Sequence, residues 1–333
     1  MTIFIAMPTL EDSETKLTIQ NAYDSADMPD DVYFGIACTT SKEYYEDLAE
    51  EFQDNPNVKI KWFDSSIQEN LGIGKGRNRS LEMYDNQKYV LQIDSHTLFK
   101  LSWDSNLINL LIKAQKQTGS DKTILTSYLP IYKNLHGIGR VSEDMSSQYA
   151  FFTSRIIEGN MQGVVPNFKD LPIKSADQSV KKKYLYKPFI PAVKFNANFA
   201  FSNHEFAKNS CLPEWTFFWE EEIVQTINLL DAGFSLVFPN RQLPLAHLYS
   251  NDVNYVWDPN KNKNAAALRT GVHHLVTGSK EDRSAANWQM FLNNPENQNK
   301  IAKFHKWSGV HPTRGPIKEW LIPDTYNTKD IVL

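Results

Sequence analysis

The first hundred residues alternate short apolar runs with mixed stretches whose apolar positions recur every three or four residues. Ile3–Met7, Val32–Cys38, Val58–Phe63 and Tyr89–Ile93 are runs of strand length, rich in β-branched and aromatic side chains. Between them, Thr9–Ala26 turns Leu17, Ala22 and Tyr23 inward. Lys42–Phe52 places Tyr45, Leu48, Ala49 and Phe52 on one helical face. This β-α-β-α-β order predicts an α/β fold with a parallel sheet and right-handed crossovers. Further on, Ser105–Gln115 reads as a helix with Leu107, Leu110, Leu111 and Ala114 inward, and Ile124–Tyr128 as a strand. In Lys194–Ser202 the residues Phe195, Ala197, Phe199 and Phe201 alternate with small or polar ones, as in a strand. A helix follows that buries Ile223, Ile227 and Leu230, with Gly233 as its C-cap, and then come strands at Phe234–Pro239 and Leu243–Tyr249.

Two regions break this rhythm. Lys133–Phe195 has many turn formers and few periodic runs, and Asn134–Arg140 reads as a loop. After Asn251 the pattern predicts helices at Ala265–Leu275, Arg283–Leu292 and Asn297–Trp307, joined by polar loops.

Composition narrows the class. With 333 residues, 41% hydrophobic and 22% charged, the chain is of ordinary soluble globular type. A net charge of -4 gives no global attraction to nucleic acid or anionic lipid, so any polyanion site must be local. Cys38 and Cys211 form no disulfide framework and no cysteine-type zinc site, which fits a reducing, cytoplasmic compartment. The first residues read as a strand rather than a signal peptide, and no stretch approaches the roughly 20 apolar residues of a membrane span.

The candidate chemistry begins where the Tyr89–Ile93 run ends in Asp94-Ser95-His96. In open α/β sheets ligands gather at the carboxyl ends of strands. Asp94 and His96 there offer an oxygen and a nitrogen to one divalent cation; the plainer alternative is a capping Asp beside a surface His. Upstream, Gly72, Gly74 and Gly76 alternate and run into a helix from about Lys75. They read as a close backbone approach to a ligand, with the spacing of neither a P-loop nor a dinucleotide fingerprint. Arg77 and Arg79 could grip a diphosphate at that helix start or simply form a solvated basic face. Downstream, Glu220-Glu221-Glu222 is flanked by Phe217, Phe218 and Trp219, which exceeds what helix capping requires. Glu220 shares the face of Ile223 and Ile227, and Glu221 or Glu222 could orient a hydroxyl. His247 lies in an apolar run, where a core histidine is the commoner outcome. His273-His274 diverge by about 100° on a helix and make a poor joint ligand pair.

These pieces resemble the GT-A glycosyltransferases of the Skp1-type GlcNAc-transferase family and, more distantly, the mucin-type GalNAc-transferases. The matching residues are Gly76-Arg77-Asn78-Arg79, the Leu91–Phe99 run with its Asp-Ser-His, Trp103-Asp104, Asn196–Phe199, Phe218–Glu222 and Ala246–Tyr249. The resemblance covers roughly residues 1–250 and implies a GT-A catalytic domain there. Residues of about 133–193 would be an acceptor-side excursion, and 251–333 a C-terminal extension packed on the domain. It also implies that Asp94, His96 and His247 bind a divalent metal, Mn²⁺ or Mg²⁺. Gly76, Arg77, Arg79, Asp94 and Trp219 would bind a nucleotide-sugar, a UDP-sugar first. Glu221, Glu222 and Asn198 would serve catalysis, with retention of anomeric configuration.

The acceptor is the open part of this reading. The leading expectation is a hydroxyl on a hydroxylated DNA base, as for the phage DNA glycosyltransferases, which would place the chain in a host cytoplasm. That expectation rests on the basic-aromatic stretches Lys181–Lys187 and Lys300–Arg314. A hydroxyproline or Ser/Thr hydroxyl on a cytoplasmic protein is the alternative. A non-catalytic nucleotide-sugar-binding protein and a nucleotide-sugar hydrolase are the competing classes.

Overall fold

The computed structural model describes residues 1–70, 72–127, 129–135, 138–141, 151–156, 168–172, 188–192, 195–216, 220–239, 243–248 and 290–308. Among them, an eight-stranded sheet runs in the order β11-β13-β6-β12-β4-β1-β2-β3. Its strands are β1 (Ile3–Thr9), β2 (Val32–Thr40), β3 (Val58–Asp64), β4 (Tyr89–Ile93), β6 (Thr123–Thr126), β11 (Phe189–Pro191), β12 (Phe199–Asn203) and β13 (Ser235–Pro239). The pairs β1/β2, β1/β4, β2/β3 and β6/β13 are parallel, as the β-α-β pattern predicts. Strand β12 departs from it, lying antiparallel between β4 and β6, and β11 is antiparallel to β13.

Both faces of the central part of this sheet are covered, so the inner strands are apolar nearly throughout, while the edge strand β3 exposes Lys59 and Lys61. Ile3, Ile5 and Met7 point to one face, with Phe34, Ile36, Leu91 and Ile93. That face packs on α1 (Thr15–Asp24), α2 (Lys42–Glu51) and α4 (Trp103–Thr118) through Ile19, Leu48, Trp103, Leu107 and Leu111. Phe4, Ala6, Val90 and Ala200 point to the other. There they meet Met83, just beyond α3 (Ile73–Leu81), then Phe206 of α5 (Glu205–Asn209) and Leu229 of α6 (Glu220–Asp231). Helix α7 (Pro295–Ser308) lies over α6 through Ile301 and Phe304 against Ile223, Val224 and Ile227.

Several local expectations change. Helix α4 extends to Thr118 and stops at Gly119, whose φ of 68° is left-handed. Of the stretch expected as a loop at Asn134–Arg140, the described residues lie instead on two antiparallel strands, β7 (Ile131–Leu135) and β8 (Ile138–Val141). Strand β9 (Phe151–Ile156) pairs antiparallel with β10 (Phe168–Pro172), so the turn-rich middle contributes strands. Such antiparallel pairing is local and needs no long apolar run, so sequence periodicity missed it. On α1 the buried residues are Thr15, Thr18, Ile19 and Ala22, while Leu17 packs at the edge against a separate small cluster of Leu98, Tyr132, Ala246 and Leu248.

A second, four-stranded sheet in the order β5-β14-β7-β8 brings β14 (Leu245–Leu248) beside β5 (Thr97–Phe99). The register sets His247 opposite Thr97, next to the end of β4. No helix among the described residues is long and apolar enough to cross a membrane. The Lys181–Lys187 stretch, Trp219, His273-His274, His311 and Arg314 lie outside the described residues.

Candidate functional site

Asp94 follows the last residue of β4, at the carboxyl end of the central sheet. The turn it opens is strapped on every side. Thr97 Oγ1 donates to the Asp94 carbonyl at 2.9 Å, Thr18 Oγ1 on α1 donates to the Ser95 carbonyl at 2.8 Å, and Leu248 N donates to the His96 carbonyl at 3.1 Å. The Asp-Ser-His turn is thereby tied to α1 and to β14, elements far apart in sequence.

Within this frame the donor atoms of Asp94, His96 and His247 converge, all lying within 4.8 Å of one another. His247 Nε2 sits 3.1 Å from Asp94 Oδ2, and the two imidazoles meet edge to face at 4.4 Å between ring centres. Two adjacent donors on an octahedral ion with bonds of about 2.1 Å are about 3 Å apart, so this spacing fits a divalent cation. One oxygen and two nitrogens suit Mn²⁺ or a similar ion better than a thiolate-type structural zinc site. His247 is buried, and burial, reinforced by the neighbouring His96, pushes its pKa down to about 4. It therefore presents a neutral ring with an available lone pair at neutral pH. Asp94 keeps 26% of its side chain exposed, so the cluster opens toward solvent through it.

Arg77 is the buried centre behind the cluster. It is 2% exposed and extends from α3 with each of its three guanidinium nitrogens donating a hydrogen bond. Nη2 donates to Asp94 Oδ1 at 2.6 Å, Nη1 to the Ile93 carbonyl at 2.6 Å and Nε to Glu221 Oε1 at 2.8 Å. Burial alone would raise the Asp94 pKa, but Arg77, His247 and His96 hold it well below the usual carboxylate range. Glu221 goes the other way: burial, with help from Asp94 and Glu222, outweighs Arg77 and pushes it up to about 7. One guanidinium serves two carboxylates, and the more buried of them keeps its proton more tightly.

Other expected residues fall nearby or elsewhere. Glu222 Oε1 accepts from Ala197 N at 3.1 Å, and Gln92 Nε2 donates to the Ala197 carbonyl at 2.9 Å. These bonds fix the turn carrying Asn198, which precedes the Phe199–Ile93 pair and so flanks Asp94. Gly74 and Gly76 do make close approaches, but to the chain's own backbone and side chains. A Cβ on Gly74 would lie 2.8 Å from Thr216 Cβ and its carbonyl oxygen, and one on Gly76 would lie 3.0 Å from Pro8 Cβ. Helix α3 begins at Ile73, before the expected start, and its glycines let it press against β1 and the Thr216 turn. Arg79 stacks over Phe63 at 3.8 Å and donates to the carbonyl and side-chain oxygens of Asn70, which braces the loop before α3. Trp103 is buried and donates to the Ala22 carbonyl, while both oxygens of Asp104 accept from the backbone of Asp27 and Met28. That motif holds the fold together and does not touch the cluster.

One residue of the site was missed in the sequence. Asp12, in the loop after β1, is buried and contacts both Ser95 and His96. The only signal was an acid just past the first strand, in an acidic stretch with no periodicity.

The family model described as Glycosyltransferase (GlcNAc) matches residues 38–308. The chain belongs to this glycosyltransferase family. Its match spans α3, β4, the Asp94–His96 turn, α6 and His247. A crystal structure of GalNAc-T7 with UDP, GalNAc and Mn²⁺ superposes with a TM-score of 0.55 at 11% identity, covering 93% of this chain. The chain spans 55% of the length of GalNAc-T7. A crystal structure of S. aureus TarS residues 1–349 in complex with UDP covers 92% of this chain and 80% of its own, at 12% identity and a TM-score of 0.43. The GT-A fold follows from the GalNAc-T7 superposition. No curated protein sequence matches the chain.

Proposed function

We propose that this glycosyltransferase takes a UDP-sugar as donor and transfers the sugar to a hydroxyl on a macromolecule, with Asp94, His96 and His247 holding Mn²⁺ or Mg²⁺. The observation that carries the reading is the convergence of those three donors at the carboxyl end of β4, on a chain of the glycosyltransferase family. The Mn²⁺ and UDP in GalNAc-T7 support it. A divalent cation held there would act as a Lewis acid on the diphosphate leaving group.

The chain's own residues do the rest. Arg77 positions Asp94 by a charge-assisted bond and balances its charge. Glu221 works through Arg77, since its carboxylate is turned onto that guanidinium. Asn198 lies on the turn at Ala197, which Glu222 of α6 holds through the Ala197 amide, and we assign these two residues to the acceptor hydroxyl and the sugar. Retention of anomeric configuration is the outcome the family resemblance implies. As acceptor we favour a hydroxylated DNA base. Lys300, Lys303 and Lys306 on α7 support it, although Lys303 is paired with Asp231 at 2.6 Å. A protein hydroxyl is the competing acceptor. We take residues 1–250 as the catalytic domain and 251–333 as an extension packed on it, a reading that the α7–α6 contact supports.

The test is nucleotide release from a panel of UDP- and GDP-sugars with Mn²⁺ or Mg²⁺, with and without hydroxymethylated DNA. Metal-dependent release from one donor, raised by DNA and lost in Asp94→Ala, is the expected result. Release indifferent to DNA redirects the acceptor to protein. Turnover that no acceptor accelerates makes the chain a hydrolase, and no release from any donor leaves a binding protein.

A further inference from the structure

We infer that Asp12 is a positioning residue for the metal cluster, holding His96 so that its Nε2 is the nitrogen presented to the cation. This rests on the metal reading above. Asp12 Oδ2 lies 2.6 Å from His96 Nδ1 and accepts from Ser95 Oγ at 2.7 Å, while Oδ1 accepts from Glu14 N at 2.9 Å. Its backbone is equally fixed: the carbonyl accepts from Tyr44 Oη at 2.6 Å and from Thr15 N at 3.1 Å. The carboxylate is buried, and it is not one of the three groups whose donor atoms converge. It therefore stands behind His96, with Nδ1 committed to it.

The arrangement is that of a histidine ligand whose second nitrogen is held by a carboxylate. Such a partner selects the tautomer, fixes the ring plane and makes the ligating nitrogen more basic. Ser95, the middle residue of the Asp-Ser-His turn, bonds the same oxygen and so couples the turn to Asp12. Strand β1 and its loop thereby contribute to a site that the sequence pattern places wholly on β4 and β14. An Asn at position 12 keeps one acceptor oxygen. It can serve the His96 and Ser95 side, but its amide group then faces the Glu14 N–H, so it restores the bond to His96 only in part.

Two measurements test this. The first is Mn²⁺ affinity by titration calorimetry for the wild type, Asp12→Ala and Asp12→Asn, each checked for an intact fold by circular dichroism. The expected result is a loss of about 10- to 100-fold in Asp12→Ala and a smaller loss in Asp12→Asn. The second is the ¹⁵N spectrum of the His96 ring in the metal-free wild type at alkaline pH, where the ring is neutral. The proton is expected on Nδ1. A folded Asp12→Ala with unchanged Mn²⁺ affinity, or a wild-type His96 protonated on Nε2, overturns the proposal. A wild type that binds no Mn²⁺ overturns the metal reading and this role together, whereas unchanged binding in Asp12→Ala overturns this role alone. The ring spectrum is decisive even where Asp12→Ala does not fold.

Discussion

Replacing Arg77 with Met tests the electrostatic centre of the site. The side chain is 2% exposed and makes three charge-assisted bonds, to Asp94, Glu221 and the Ile93 carbonyl. Met fills a similar volume but leaves two carboxylates and a carbonyl without their cation. Breaking a buried pair on one side costs about 3–5 kcal/mol, because the remaining charge is stranded. The cost depends on pH in a definite direction. Burial already raises Glu221 to about 7, so in the folded state it binds a proton more tightly than in the unfolded chain. A group raised in this way stabilises the fold below its ordinary range, and that contribution is lost as pH rises through the folded value. Without Arg77 the folded value rises further, and the loss continues to higher pH. Asp94 is depressed in the wild type, so it stabilises the fold above the ordinary carboxylate range, and the variant forfeits that. Both effects act together. The Asp94 share is already lost near about pH 5, and the Glu221 share adds to it as pH rises, so the deficit of Arg77→Met should be smaller near about pH 5 than near about pH 8, where it reaches about 3–5 kcal/mol. Urea unfolding of both proteins at the two pH values, followed by tryptophan fluorescence, measures it. Equal deficits at both pH values, or one below about 1 kcal/mol at the higher, would refute the argument. Arg77→Lys should not restore stability, because one ammonium cannot reach all three acceptors in the geometry of the planar fork.

Three further outcomes follow from the same structure. Asp94→Asn and His247→Ala should each reduce metal-dependent donor turnover by at least about 100-fold, and saturating Mn²⁺ should recover part of it, as steady-state rates against Mn²⁺ concentration will show. Gly74→Ala should destabilise by about 1–3 kcal/mol, because its Cβ would meet the Thr216 backbone at 2.8 Å; thermal unfolding reads this directly. Asp104→Ala strands the Asp27 and Met28 amides and should cost about 1–3 kcal/mol while leaving donor kcat close to wild type, which separates a structural motif from a chemical one.

Much of the fold could be read from the sequence because its signals are local. Runs such as Ile3–Met7 and Tyr89–Ile93 are apolar on both faces, and a strand of that kind is stable only inside a sheet covered by helices on both sides. Asp94 and His96 are neighbours on one turn, so their pairing needed no knowledge of the fold. His247 was harder, since its place depends on β14 pairing with β5, a contact across about 150 residues that periodicity does not encode. The resemblance to glycosyltransferases supplied what local pattern lacked.

What tertiary structure alone decided is which charged residues face which. Two arginines two positions apart on α3 look equivalent in sequence. In the fold, Arg77 points inward to Asp94 and Glu221, and Arg79 lies over Phe63. Residues two apart on a helix point about 200° apart, so the packing of α3 on the sheet separates their roles. The alternating glycines hold that packing by contact with Thr216 and Pro8, a requirement set by neighbours distant in the chain. Asp12 shows the same limit most clearly. A carboxylate in an acidic loop is ordinary by sequence, and it becomes His96's partner only because β1 and β4 lie side by side and end at the same edge of the sheet. Composition and periodicity determine which segments are buried; long-range register determines which side chains meet.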